Sequence, residues 1–201
     1  MDEVRFAMAL FVTLLLPAIL TFWLVIHGGI AVWRSTGVPV AFTVASIMMG
    51  LAISTAWYWR GELIGRDLGF NPWLTTAGAI LYCATIVLSR PIRRHLSLRT
   101  FAGVPEIEQE AGDLIVVGPY TVVRHPRYTM VMAGIVGWCM VCNFLGTYLL
   151  GLASLAGFYG IAWLEEKELV TRFGRAYEDY QSRVPRLLPD LPGLKRLYLM
   201  G

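Results

Sequence analysis

Charge is missing from four long stretches of this 201-residue chain: residues 6–33, 35–59, 68–89 and 128–164 contain no Asp, Glu, Lys or Arg. Gaps of that length argue against a soluble domain, whose helices need a polar face. Cysteine is scarce, with three in all. Cys139 and Cys142 form a C-x-x-C, but inside an apolar stretch, without the further ligands and polar setting of a zinc or redox site. They read as helix packing, as does Cys83. No basic-aromatic groove suggests nucleic acid, and low-complexity segments and internal repeats are absent. A basic n-region is lacking too: Asp2 and Glu3 stand there, and the apolar run that follows is too long for a cleaved signal.

What is present is apolar residue, at 56% of the chain, with a mean hydropathy of +0.58. A membrane-crossing helix needs roughly 20 such residues. Each of the first three gaps holds one, and Pro17 is expected to kink the first. The fourth gap is too long for a single crossing and is expected to turn near Asn143-Phe144-Leu145-Gly146, since Asn and Gly suit turns. The predicted fold is all-α: a polytopic membrane bundle of about five spans, in which the fourth and fifth form a helical hairpin, followed by a C-terminal helix. With five spans, fourteen Lys/Arg fall on one side and three on the other. That bias places the 90–127 loop and the tail in the cytoplasm and the N-terminus outside. The net charge of +3 is then a matter of orientation. Trp33, Trp57, Tyr58, Trp59 and Trp73 fall at span ends, as an aromatic belt would.

Residues 1–94 read as a transmembrane scaffold; its first two spans, about 6–33 and 38–59, carry no charged side chains, with His27 beside Gly28-Gly29 as the exception. The run Arg90-Pro91-Ile92-Arg93-Arg94-His95 suits anionic headgroups. Leu114 to Val117 is expected to form a short buried extended piece. Leu169, Phe173, Tyr177 and Tyr180 recur at helical spacing and define one face of a tail helix that ends before Pro185 and Pro189. Small residues, among them Gly134, Gly137, Gly146 and Gly151, let the last two spans pack closely.

Chemistry concentrates in 95–201. Gly118-Pro119-Tyr120 leads to Arg124-His125-Pro126-Arg127-Tyr128 before the fourth gap, and Glu165-Glu166 ends that gap. A hairpin turning near residue 144 places both clusters side by side at one membrane surface. Spacing alone leaves two readings open there: a pocket, or a topogenic cluster of charges marking the span ends.

Arg124-His125-Pro126-x-Tyr128 with Glu165-Glu166 some forty residues later resembles the integral membrane methyltransferases that include isoprenylcysteine carboxyl methyltransferases and phospholipid N-methyltransferases. Gly118-Pro119-Tyr120, the Leu169, Phe173-Gly174, Tyr177 and Tyr180 series, and Arg186-Leu187-Leu188-Pro189 extend the resemblance over roughly 95–190. One departure is Met130, where many members carry glycine. The resemblance implies binding of S-adenosylmethionine, leaving as S-adenosylhomocysteine, by Gly118, Tyr120, Arg124, His125, Pro126, Tyr128, Glu165, Glu166 and Tyr177. Tyrosine faces suit adenine and the sulfonium, carboxylates suit the ammonium and ribose hydroxyls, and Arg124 or His125 suits the carboxylate. Arg186 and Glu106 are the candidate catalytic residues; no metal is implied. The acceptor is expected to be lipid-like or small and hydrophobic: a prenylated cysteine carboxylate first, otherwise an amino phospholipid, a thiol or an acid. Alternatives of another class are a sterol-reductase-like NADPH enzyme and a non-enzymatic membrane protein.

Overall fold

The computed structural model describes residues 2–94, 99, 103–108 and 113–198. His95 lies outside these, and so does the side chain of Glu106. The chain is helical almost throughout. Long apolar helices are α1 (Asp2–Gly28), α3 (Val38–Tyr58), α5 (Pro72–Arg94), α7 (Pro126–Cys142) and α8 (Leu145–Phe173). Shorter helices are α2 (Ile30–Thr36), α4 (Arg60–Ile64), α6 (Val104–Glu108), α9 (Arg175–Arg183) and α10 (Leu191–Tyr198), with a 3₁₀ turn at Gly118–Thr121.

Among the described residues, four helices (α1, α3, α5 and α8) are long and apolar enough to cross a membrane. At 17 residues, α7 is about 25 Å long, at the lower limit for a crossing. The first charge-free gap is not one helix to Trp33: α1 stops at Gly28, and α2 restarts after Gly29. Pro17 lies inside α1.

The α7–α8 hairpin is the centre of the bundle. α7 packs on α5 and α8, while α1 packs on α3 and against α8. Gly78 on α5 and Gly137 on α7 set the first crossing. A Cβ added at Gly78 would sit 2.4 Å from the Gly137 carbonyl oxygen, so the two backbones touch,. The core joins Val12, Leu16 and Trp23 of α1 to Tyr128, Ile135 and Cys139 of α7 and to Phe158, Ile161 and Ala162 of α8. Cys139 and Cys142 are both buried and free. The outward faces of α3 and α5 expose Ile47, Leu51, Ile80, Val87 and Leu88, which suits hydrocarbon rather than water.

The turn falls where the sequence suggested. Asn143 caps α7 in the left-handed region (φ 54°), and Phe144 precedes α8. Asn is one of the few residues other than Gly that adopts this conformation readily. Its side chain ties the turn down: Asn143 Nδ2 donates to the Gly69 carbonyl (2.8 Å), and Tyr148 Oη donates to Asn143 Oδ1 (3.0 Å). Buried Arg5 closes this end. Its Nε donates to the Cys142 carbonyl (3.1 Å) and its Nη2 pairs with Asp67. A cation at a helix C-terminus satisfies carbonyls that have no partner within the helix.

At the opposite end two expectations need correction. Leu114 to Val117 forms neither a strand nor a buried piece: Val116 and Val117 are exposed, and no strand occurs beside them among the described residues. The Leu169–Tyr180 face is also not one helix. Gly174, at φ 54°, separates α8 from α9, a conformation glycine adopts without a Cβ clash. The side chains still meet, since Leu169 and Phe173 pack on buried Tyr177, Tyr180 and Val184.

Candidate active site

The base of the hairpin is built by local sequence. Pro126 occupies the first turn of α7, where its missing N–H costs nothing, and His125 is the N-cap. The tail then straps across this start. Arg124 N–H donates to the Pro185 carbonyl (2.8 Å), and His125 N–H donates to the Arg186 carbonyl (3.0 Å). Thr129 Oγ1 donates to the Leu187 carbonyl (2.7 Å). Residues 124–129 are thereby clamped between α8 and the segment after α9.

The paired glutamates separate into two roles. Glu166, with a side chain only 4% exposed, is surrounded by donors. Arg124 Nε meets Oε1 at 2.8 Å and His125 Nε2 meets it at 3.1 Å. Arg186 Nη2 and Nε meet Oε2 at 2.6 and 3.0 Å, and Gln181 Nε2 at 3.3 Å. Arg124 also donates from Nη1 to the Gln181 carbonyl (3.0 Å) and to the Val184 carbonyl. One carboxylate thus ties α7, α8 and the tail together. Glu165 turns the other way. Its Oε2 is 3.7 Å from His125 Nδ1 and is buried with no hydrogen-bond partner.

Glu165 faces a cavity of about 400 Å³, within the range of small-molecule sites. Tyr120, Arg124, His125, Tyr128 and Tyr177 line it with Glu165, so six of the sequence-predicted residues converge. Gly118, Pro126, Glu166 and Arg186 are not in the lining. Gly118 (φ 59°) opens the 3₁₀ turn that carries Tyr120. Arg186 is occupied by Glu166. Glu106 belongs to α6, whose neighbouring Pro105 reaches the cavity. Met130 is half-buried and outside the lining.

Several lining residues had no motif to announce them. Trp23 and His27 come from α1, which the sequence presented as scaffold, and their rings stack at 5.5 Å. Arg127 lies 4.7 Å over the Trp23 ring and 4.8 Å over Tyr128, and donates to Tyr128 Oη at 2.9 Å. Arg172, Leu169, Phe173 and Tyr180 complete the α8–α9 wall. His27 did carry a signal: it is the one ionisable side chain in a 28-residue gap.

The tyrosines are phenols at neutral pH. Burial pushes Tyr120 up to about 12, and Tyr177 and Tyr180 are pushed up further, also by burial first. They can donate hydrogen bonds or present ring faces; they are not bases. Tyr180 Oη donates to the Tyr120 carbonyl at 2.6 Å, whereas Tyr177 Oη is buried without a hydrogen-bond partner. No group of His, Cys, Asp and Glu able to hold a metal occurs among the described residues.

This end of the bundle coincides with the similarity to known proteins. The phospholipid methyltransferase family model matches residues 73–176, about half of the chain. Methanethiol S-methyltransferase 2 of Bradyrhizobium diazoefficiens is 35% identical over 77 residues, 38% of this chain and 29% of that protein. A protein-S-isoprenylcysteine O-methyltransferase of Schizosaccharomyces pombe is 36% identical over 80 residues, 39% of this chain and 34% of its own length. The protein of the same name from Rattus norvegicus is 30% identical over 132 residues, 61% of this chain and 44% of its own. The chain therefore spans less than half the length of each of these relatives. No solved structure gives a significant match. With half its length matched and the whole hairpin inside that match, the chain belongs to the phospholipid methyltransferase family.

Proposed function

We propose that this integral membrane protein is a methyltransferase that binds S-adenosylmethionine in the cavity at the hairpin base and methylates an acceptor reaching it from the bilayer. One observation carries the reading: Glu165 Oε2 and Tyr177 Oη are buried in a tyrosine-walled cavity without hydrogen-bond partners. Buried polar atoms without partners are costly, and this ligand supplies the partners. Its ammonium or ribose hydroxyls donate to Glu165, and its polar oxygens accept from Tyr177. Tyr120 and Tyr128 give ring faces to adenine or to the sulfonium. The Arg124 guanidinium is held by Glu166 and two carbonyls, and Arg172 and Arg127 are the other arginines lining the cavity near the cofactor carboxylate.

When bound, S-adenosylmethionine offers an electrophilic methyl carbon on a sulfonium sulfur. What the chain contributes is placement and exclusion of water. Glu166 fixes Arg124 and His125, and these set the wall on which Glu165 and Tyr128 stand. Tyr128 and Tyr177 are each under 3% exposed, which shields the site; loss of charge during transfer to an anionic nucleophile is favoured there. Holding both reactants in line supplies much of the remaining acceleration. The basic excess at this end supports a cytoplasmic position for the cavity, where an amphiphilic acceptor can enter sideways between helices.

The test is transfer of labelled methyl from S-adenosylmethionine, with the protein in vesicles, to lipid extracts and a panel of hydrophobic acids, amines and thiols. Label should appear in the organic phase. Glu165→Gln should weaken cofactor binding by about 1.5–3 kcal/mol, roughly 10–150-fold. Absence of any transfer, together with binding of NADPH, would contradict the reading.

A further inference from the structure

The tail that straps the hairpin base presents bare apolar side chains at membrane depth. Leu188 is 79% exposed and Leu191 is 77% exposed. Two contacts fix how deep this segment lies. Thr129 Oγ1, in the first turn of α7, donates to the Leu187 carbonyl (2.7 Å), and the Arg186 guanidinium lies 5.1 Å over the Tyr159 ring. Tyr128 packs on Phe158 with ring centroids 5.9 Å apart, so residues 128–129 and 158–159 share one level. All four fall inside the charge-free gap 128–164. Further out on α8, exposed Trp163 carries the Lys167 ammonium 3.4 Å over its ring. A belt aromatic with a snorkelling cation marks a membrane–water boundary. Tyr159 lies about 6 Å inside Trp163 along the helix. Exposed leucines beside that level meet acyl chains rather than water.

The charges fit the same surface. α5 and α10 both pack on the 3₁₀ turn, and each carries an exposed cation, Arg90 and Lys195. The carboxylate that leads into α10 is turned onto its own backbone, where Asp190 Oδ1 accepts from the Gly193 N–H (2.7 Å).

We propose that the 186–195 segment docks into the leaflet at this end, with Leu188 and Leu191 in the acyl boundary and Lys195 and Arg90 against anionic headgroups. Bilayer contact then holds the strap in place. That strap carries Arg186, which grips Glu166, and the carbonyls that hold Arg124 and His125, two residues of the cavity wall. Anionic lipid favours the docked strap over a loosened one, and by that difference alone it shifts the site toward its closed form. The effect on ligand binding rests on the reading that the cavity holds S-adenosylmethionine.

The test reconstitutes the protein in bilayer discs of phosphatidylcholine alone or mixed equally with phosphatidylglycerol. A bimane label attached after Leu188→Cys or Leu191→Cys, in a Cys83→Ser background because Cys83 is an exposed free thiol, should be quenched by spin-labelled acyl chains and not by aqueous iodide. S-adenosylhomocysteine should bind more tightly in the anionic discs, by about fivefold per cation and up to roughly 30-fold for the two. Arg90→Gln combined with Lys195→Gln should erase that difference and keep the affinity seen in phosphatidylcholine. Leu188→Ser combined with Leu191→Ser should weaken binding in both lipids. Quenching by iodide, protection from both quenchers as burial against another protein would give, equal affinity in the two lipids, or a lipid dependence that survives the charge changes would overturn the proposal. Absence of S-adenosylhomocysteine binding in every disc would instead defeat the reading beneath it, and the quenching result would still decide where the tail lies.

Discussion

Two adjacent glutamates with identical chemistry have different consequences here. Glu166 is closed in by Arg124, His125, Gln181 and Arg186. Removing its charge strands buried cations, at a cost of about 3–5 kcal/mol. Glu166→Gln should therefore lower the thermal midpoint in detergent and lose ligand binding along with the fold. Glu165→Gln should keep the midpoint and weaken S-adenosylhomocysteine binding alone; equal midpoints for the two variants would contradict this division. The sequence displayed both acids but could not show which one turned inward, because that depends on where the tail returns. Cys139 Sγ lies 3.1 Å from the Thr147 carbonyl, and Cys142 is fully buried. Cys139→Ala and Cys142→Ala should each retain methyl transfer, and its loss in either would call for a chemical role.

At the scale of elements, the hairpin was legible because absent charge fixes its length and Asn143 its turn. The breaks at Gly29 and Gly174 were not, because a helical hydrophobic pattern runs on through a glycine and only the backbone shows the stop. Gly78→Ala should destabilise the α5–α7 crossing by about 1–3 kcal/mol through overpacking, read as a lower thermal midpoint. The turn end has its own electrostatics. The Gly69 N–H first, then Arg5, hold the Asp67 carboxylate below its ordinary range. A carboxylate depressed in the folded state contributes stability above its unfolded value of about 3.9 and loses it as pH falls further. Asp67→Asn should accordingly lower the midpoint at pH 7, and the difference from wild type should shrink as pH drops below about 4.

For the whole molecule, the functional end is assembled from segments far apart in the chain. Trp23 and His27 of α1, Pro105, segments 113–128 and 165–173, and Tyr177 and Tyr180 of α9 meet around one cavity. Motifs covered the later segments; α1 entered only through folding, since its packing on α8 leaves no periodic trace beyond an unexplained histidine. The claim joining these levels is that the cavity is a methyl-donor site whose charged contact is Glu165. Calorimetric titration of the purified protein with S-adenosylhomocysteine, wild type beside Glu165→Gln, tests it most directly. The account predicts one saturable site in the wild type, weakened roughly 10–150-fold in the variant at an unchanged thermal midpoint. Equal affinity in the two proteins, or no binding to either, would contradict it.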